Sequence, residues 1–246
     1  MDSKKFDLWA EEYDKSVQIS SDNNEFPFAG YNNLLNTIYN IIHKKEKASV
    51  LDIGFGTGTL IKKLYDEGYE IYGVDFSKKM IEIAKDKMPL AKLFQYDFSK
   101  GLPQEIENNK FDYIISTYAM HHLEDNYKVQ FINKLKELLC EDGEIIIGDI
   151  AFKTRTLLEK CKKDYSKYWD DEETYIIFDE IKEFFHQDNI HFIPISHCAG
   201  ILHITKWVIV VENIRNKLGM SLSIGKCLFH ILLYVLFILP FKIPHS

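Results

Sequence analysis

The chain has 246 residues, 46% of them apolar, which is enough for one large α/β domain with an ample core. Its formal charge of −7 conceals an asymmetry: residues 205–246 carry five basic side chains against Glu212 alone, so the first 204 residues stand near −11. Such a surface repels polyanions, which argues against a nucleic-acid partner and for a small-molecule substrate.

In chain order, Phe6, Trp9, Ala10 and Tyr13 fall at i, i+3, i+4 and i+7 and predict an amphipathic helix. Ser20–Phe28 is polar, with Pro27 and nearby Gly30, and reads as a loop. Tyr31–His43 is a second helix with Leu34, Leu35, Ile38, Tyr39 and Ile42 on one face. A short apolar strand (49–53) then runs into Gly54-x-Gly56-x-Gly58, and an apolar helix follows over 58–66. Glycines let the chain turn sharply and pass close to a ligand, and the helix start points free N–H groups into the loop. This unit therefore predicts a site for the polar, partly anionic part of a nucleotide-like cofactor. The dinucleotide pattern G-x-G-x-x-G is not met, because the third glycine comes one residue early and Thr59 stands in its place. A second strand (70–75) ends at Asp75, placed to accept hydrogen bonds from two ribose hydroxyls. Ser77 caps a helix over 78–87, and a third strand (91–96) leads to Asp97 and Phe98.

The pattern continues with a strand over 111–117, a helix from about 125 to 139, a turn at Glu141-Asp142-Gly143 and a strand over 144–151. Strands alternating with helices imply a parallel sheet covered on both faces. Residues 153–175 interrupt the alternation, with Leu157, Leu158, Cys161, Tyr165 and Trp169 as one helix face and the acidic run Asp170–Glu173 as a solvated surface. A helix is expected over 175–187, and two β-like segments, His191–Ser196 and Gly200–Lys206, follow.

Several motifs in this order resemble the class I S-adenosylmethionine-dependent methyltransferases: VLDIGFGTG (50–58), GVDFS (73–77), YDF (96–98), FDYIISTYAMHHL (111–123) and GEIIIGDIAF (143–152). Together with FDLWAEEYD (6–14), STYAMHHL is most similar to the YrrT-like group of bacterial methyltransferases. The resemblance covers about residues 5–205. It implies a Rossmann-like seven-stranded sheet with its last strand antiparallel, helices on both faces, and N-terminal helices (1–45) lying over the cofactor mouth as a lid. It implies S-adenosyl-L-methionine as cofactor. The Gly54, Gly56 and Gly58 loop would hold the methionine carboxylate, with Asp52 organising the loop toward the methionine amine. Asp75 would take the ribose, Phe76 would pack on the adenine, and Asp97 with the Phe98 N–H would meet its edge. Segment 153–175 would shape the acceptor pocket.

Methyl transfer to an aligned acceptor needs a base only if the acceptor must lose a proton. His121 and His122, just past the strand 111–117, are the weak candidates, and Tyr13, Tyr118 and Asp149 weaker ones still. An unperturbed imidazole there would become protonated below about pH 6.5. No Asn-Pro-Pro-Tyr motif follows that strand, which speaks against the amino-methylating nucleic-acid and protein-glutamine enzymes. A non-catalytic S-adenosylmethionine-binding regulator is the alternative function, and a nicotinamide-dependent oxidoreductase is disfavoured by the early third glycine and by Asp97-Phe98. Cys140, Cys161, Cys198 and Cys227 form no C-x-x-C pair, so no metal and no disulfide framework are expected. Scattered cysteines fit a reducing cytosol, and the opening residues hold no apolar run of signal-peptide length, so a cytoplasmic location is expected. The fold is expected to close by residue 206. Residues 207–246, with the apolar run Leu228–Leu239, read as an extension outside it, in preference to a membrane-surface anchor or a partner-binding helix.

Overall fold

The apolar runs become strands in the order the hydrophobic pattern predicts. A computed structural model describes residues 15 and 17–206. The expected helix at Phe6–Tyr13, the candidate Tyr13 and the tail 207–246 lie outside those residues. Strands β1 (Ser49–Ile53), β2 (Glu70–Asp75), β3 (Lys92–Gln95), β4 (Phe111–Thr117) and β5 (Leu139–Phe152) pair in parallel, in the spatial order β3-β2-β1-β4-β5. After them come β6 (Ile176–Ile177), β7 (Asp188–Pro194) and β8 (Ala199–Lys206). β8 inserts antiparallel beside β5 and β7 pairs with β8, so seven strands form one path with an antiparallel member, and β6 pairs off that path with the end of β5.

Near-continuous apolar strands of this kind need cover on both faces. One face carries α1 (Tyr31–Ile42), α2 (Thr59–Asp66) and α3 (Lys78–Lys87), which share a core with Val50, Ile71, Ile115 and Ile146. The other carries α4 (Gln104–Glu107) and α5 (Asp125–Glu137), packed with Leu51, Ile53, Ile114 and Ile145. Helix α6 (Arg155–Asp164) joins the first layer through Leu158 and Cys161. Leu34, Ile38 and Ile42 are fully buried, each contributing roughly 1.5–3 kcal/mol. α1 is thus anchored in the core, and a Cβ on Gly148 of β5 would lie 2.5 Å from Leu34 Cδ2. Among the described residues no helix is long and apolar enough to cross a membrane.

The strand order reverses between β1 and β4. A crevice therefore opens at their C-terminal ends, where open α/β sheets bind ligands.

Five local expectations give way. Glu141–Gly143 is not a turn but lies within β5, where the pairing slips register between Phe111 and Tyr113; a Cβ on Gly143 would sit 2.8 Å from the Phe111 carbonyl oxygen. α5 stops at Glu137, because Leu139 pairs with Phe111. The helix expected over 175–187 is instead β6, α7 (Phe178–Ile181) and a single turn at Lys182–Phe184. Ile176 and Ile177 are β-branched and buried, and they pair beside Ala151 and Phe152, so burial and sheet pairing override the helical spacing. Ser20–Asp22 continues a helical turn from Val17 rather than a loop, and Leu157 is exposed rather than on the buried face of α6.

Candidate active site

β1 delivers the chain to Gly54, Gly56 and Gly58, at φ of 72°, 55° and 78°. These left-handed conformations disfavour side chains. Gly54 has a second reason: a Cβ there would meet Ala119 Cβ at 2.5 Å. At Gly56 a Cβ would meet nothing within 4 Å, so this backbone faces open space. The cleft beside it is lined by Tyr31, Asp52, Gly54, Gly56, Thr57 and Thr117, from α1, β1 with its loop, and β4.

Asp52 is the chemical centre of this cleft. It is 1% exposed, and its Oδ1 has no hydrogen-bond partner. Burial first, and then the charge of Asp75, hold its carboxyl well above the usual carboxylate range. A buried, unpartnered carboxylate at the edge of a cleft is costly unless a cationic or donor group completes it.

The ends of β1, β2 and β3 are tied together along one edge. Gly54 N donates to Val74 O at 2.7 Å, and Tyr96 N to Asp75 O at 2.8 Å. Asp75 accepts from Gly56 N through Oδ2 and from Ser77 N through Oδ1, both at 2.8 Å, so it braces the glycine loop against the start of α3. Ser77 caps α3 by accepting from Met80 N, as the sequence predicts. Phe76 is half-buried, with its carbonyl accepting from Gln95 Nε2. Asp97 caps the turn that follows, accepting from Ser99 N and Ser99 Oγ, with Lys100 Nζ 3.3 Å from its other oxygen. Burial pushes the Asp97 carboxyl up, but these donors outweigh it and the net direction is down. The Phe98 ring is buried beneath the loop, 5.9 Å from Phe131, so only its backbone is placed to meet a ligand. The structure thus gathers all seven predicted cofactor residues along the tips of β1, β2 and β3.

β4 is followed by Tyr118, whose φ of 51° is strained for a side-chain-bearing residue, and the chain then turns through Ala119 to the two histidines. His121 is 7% exposed. Its Nδ1 lies 2.6 Å from Asp149 Oδ1, and its backbone N–H donates to Asp149 Oδ2. Asp149 is fully buried on β5 and also accepts from Ile150 N. Burial alone would push His121 down and Asp149 up; each reverses the other's shift, leaving His121 raised and Asp149 lowered. His122 differs. Burial, then the neighbouring His121 ring at 4.1 Å, push it down to about 3, well below the ordinary value of about 6.5 that the sequence suggests.

The residue that sequence reasoning missed is Glu173. Asp170, Asp171 and Glu172 are exposed as expected, but Glu173 turns inward. Its Oε1 stands 3.6 Å from His121 Nε2 and 3.6 Å from His122 Nδ1, and its Oε2 accepts from Tyr175 Oη at 3.0 Å. Thr174 fixes this position. Its N–H donates to His121 O, its hydroxyl donates to Leu123 O, and its carbonyl accepts from Lys128 Nζ at 2.6 Å. Lys128 is wholly buried and also donates to Asp125 at 2.9 Å; burial pushes its ammonium down. Only the i, i+3 pairing of Asp125 with Lys128 was visible as a signal in the sequence. Above the histidines, Phe26 stacks on Tyr165 at 5.8 Å and Trp169 at 5.4 Å, while Phe28 and Tyr31 lie 5.1 and 5.4 Å from Tyr118. The segments 26–31 and 165–175 therefore meet as an aromatic wall beside the mouth.

Residues 50–143 match the model of a methyltransferase domain family. An uncharacterized methyltransferase of Anoxybacillus flavithermus is 38% identical over 154 residues, covering 63% of this chain and 69% of that protein. One of Bacillus mycoides is 32% identical over 210 residues, covering 82% of this chain and 96% of that protein. The fold is similar to that of the magnesium protoporphyrin IX methyltransferase of Synechocystis PCC 6803, solved with bound S-adenosylhomocysteine, with a TM-score of 0.59 at 19% identity, over 73% of this chain and 84% of that one.

Proposed function

Because the chain belongs to the class I S-adenosylmethionine-dependent methyltransferases, we propose that it methylates a small molecule held at the mouth between β4 and the 165–175 segment. The observation that carries the reading is the buried Asp52 Oδ1, without a partner and beside an open glycine loop. An ammonium supplies what that oxygen lacks. The N–H groups of the first turn of α2 suit a carboxylate, which the open backbone at Gly56 allows to approach. A methionine moiety carries both groups, and the residues fit it.

S-adenosylmethionine, when bound, supplies a methyl group already activated by its sulfonium. The chain's own work is to bind and align. Gly54, Gly56 and Gly58 shape the loop that lets the carboxylate end reach the start of α2, and Asp52 takes the amine. Asp75, at the tip of β2, takes the ribose, Phe76 packs on the adenine, and Asp97 with the Phe98 N–H reads the adenine edge. Alignment of acceptor and methyl is worth effective molarities of up to ~10⁵–10⁸ M without a protein nucleophile. His122 is pushed down to about 3 by burial and by His121, which makes it a weak base and leaves alignment to carry the rate. The acidic surface disfavours nucleic acid as acceptor, and the reading is of a cytoplasmic enzyme whose domain spans residues 1–206.

A thermal-denaturation panel with S-adenosylmethionine, S-adenosylhomocysteine, NAD and NADP tests the cofactor. Ligand at about 100 times its dissociation constant adds ~2.7 kcal/mol of stability. The first two should stabilise and the dinucleotides should not. Stabilisation by a dinucleotide alone, or by none of the four, would overturn the assignment.

A further inference from the structure

We propose that His121, His122 and Glu173 form a binding site for a divalent first-row metal ion, zinc foremost, beside the acceptor mouth. Among the described residues this is the group whose three ligand atoms, two imidazole nitrogens and a carboxylate oxygen, lie within 4.8 Å of one another. Two histidines and a glutamate make the donor set of open zinc sites, in which a fourth position is left for water or substrate. Ligands at roughly 2.0–2.1 Å around a tetrahedral ion are separated by about 3.4 Å. The two measured separations, from Glu173 Oε1 to His121 Nε2 and to His122 Nδ1, are both 3.6 Å.

The surrounding groups orient the ligands as a metal site requires. Asp149 takes the Nδ1 side of His121 at 2.6 Å, which leaves Nε2 directed at Glu173. A buried carboxylate on the far nitrogen of a ligating histidine fixes its tautomer and raises its basicity. Tyr175 Oη occupies Glu173 Oε2, leaving Oε1 toward the rings. Thr174, held by His121 O, Leu123 O and Lys128, locks the backbone that presents Glu173. Fixing His121 and Glu173 in advance reduces the ordering needed when an ion enters. The competing occupant is a proton on His121, shared between Asp149 and Glu173, and the test separates the two.

The inference stands apart from the methyl-transfer reading, and its test needs no turnover. Tag-free full-length protein, stripped with a chelator, is titrated with Zn²⁺ by calorimetry, and X-ray absorption reads the ligands of the loaded protein. One ion per chain is expected, with imidazole and oxygen ligation. Glu173→Gln and His122→Asn should each weaken binding by a hundredfold or more, and Asp149→Asn by ~10- to 100-fold, as a positioning residue. Circular dichroism checks that each variant is folded; if one is not, the remaining two carry the test. Absence of Zn²⁺ uptake by the native chain, with His121 protonated in its nuclear magnetic resonance titration, would leave the proton as occupant and overturn the proposal. Sulfur ligation, or uptake unchanged in both Glu173→Gln and His122→Asn, would overturn it as well.

Discussion

Asp52→Asn separates two opposing roles of one side chain. Without cofactor, Asp52 is 1% exposed and its Oδ1 meets no donor, and its carboxyl is held well above the usual range by burial and by Asp75. A carboxyl whose folded pKa exceeds its unfolded value of about 3.9 keeps a proton that unfolding releases. In the window between those two values the native state binds more protons, so this group makes stability fall as pH rises. Asparagine has the same shape and no charge to desolvate. The variant should lack that slope and be the more stable protein above the window. Cofactor affinity should move the other way. Losing one charge-assisted hydrogen bond to an ammonium costs ~1.5–3 kcal/mol, or roughly 10- to 150-fold in affinity. The same ionisation makes native affinity rise with pH and makes binding release a proton. Urea denaturation from pH 4 to 8 reads the first effect. Calorimetry of S-adenosylhomocysteine in two buffers of different ionisation enthalpy reads the second. A folded Asp52→Asn protein that binds as tightly as the native one, or native binding without proton release, would refute the assignment of Asp52 to the amine.

Gly54→Ala must place a Cβ at φ of 72° and 2.5 Å from Ala119 Cβ. We expect a loss of roughly 2–5 kcal/mol in urea denaturation, with Ala119→Gly in the same chain restoring the steric part alone. Lys128→Ala should cost ~3–5 kcal/mol by leaving the Thr174 carbonyl without its donor and opening a cavity, and Lys128→Met should cost less; a Lys128→Met protein that melts with the native one would show that the buried ammonium contributes nothing. A chain ending at Lys206 should melt cooperatively and bind S-adenosylhomocysteine as the full chain does; an unfolded product would place residues 207–246 within the domain. Once an acceptor is found, His122 should produce no acid limb in the rate profile between pH 5 and 8, because its imidazole is pushed down to about 3. A limb near pH 6.5 that disappears in His122→Asn would contradict that environment.

The sequence exposed the fold wherever local and tertiary preferences agreed. β1, β2 and α3 have the predicted bounds, because alternating apolar runs, the glycine loop and the Ser77 cap all specify the same boundaries. The cofactor side was legible for the same reason. Its residues lie at the ends of consecutive strands of one parallel sheet, so their chain order already fixes their adjacency in space. Segment 175–187 failed because its helical spacing competed with two β-branched residues that find an edge on β5. That edge exists only in the assembled sheet and leaves no local mark.

The acceptor side is of a different kind. Glu173 reaches the histidines only because Lys128, on a helix far away in the chain, fixes Thr174, and Phe26 meets Trp169 only across the folded domain. Such contacts join segments that no periodicity relates, and an acidic run looks the same whether all of it is solvated or one member turns inward. The cost of turning inward is the desolvation of a carboxylate, which two imidazoles, a phenol and a locked backbone here offset. Cofactor and acceptor chemistry thus rest on separate parts of the chain. The glycine loop and Asp75 are tied to the sheet by their own backbone hydrogen bonds, while the aromatic wall and Glu173 hang on the loop between α6 and β6. On the proposed function, changes in that loop would alter what the mouth admits without disturbing the glycine loop. The family assignment thus fixes the reaction, and on the proposed function the acceptor is to be sought through residues 165–175.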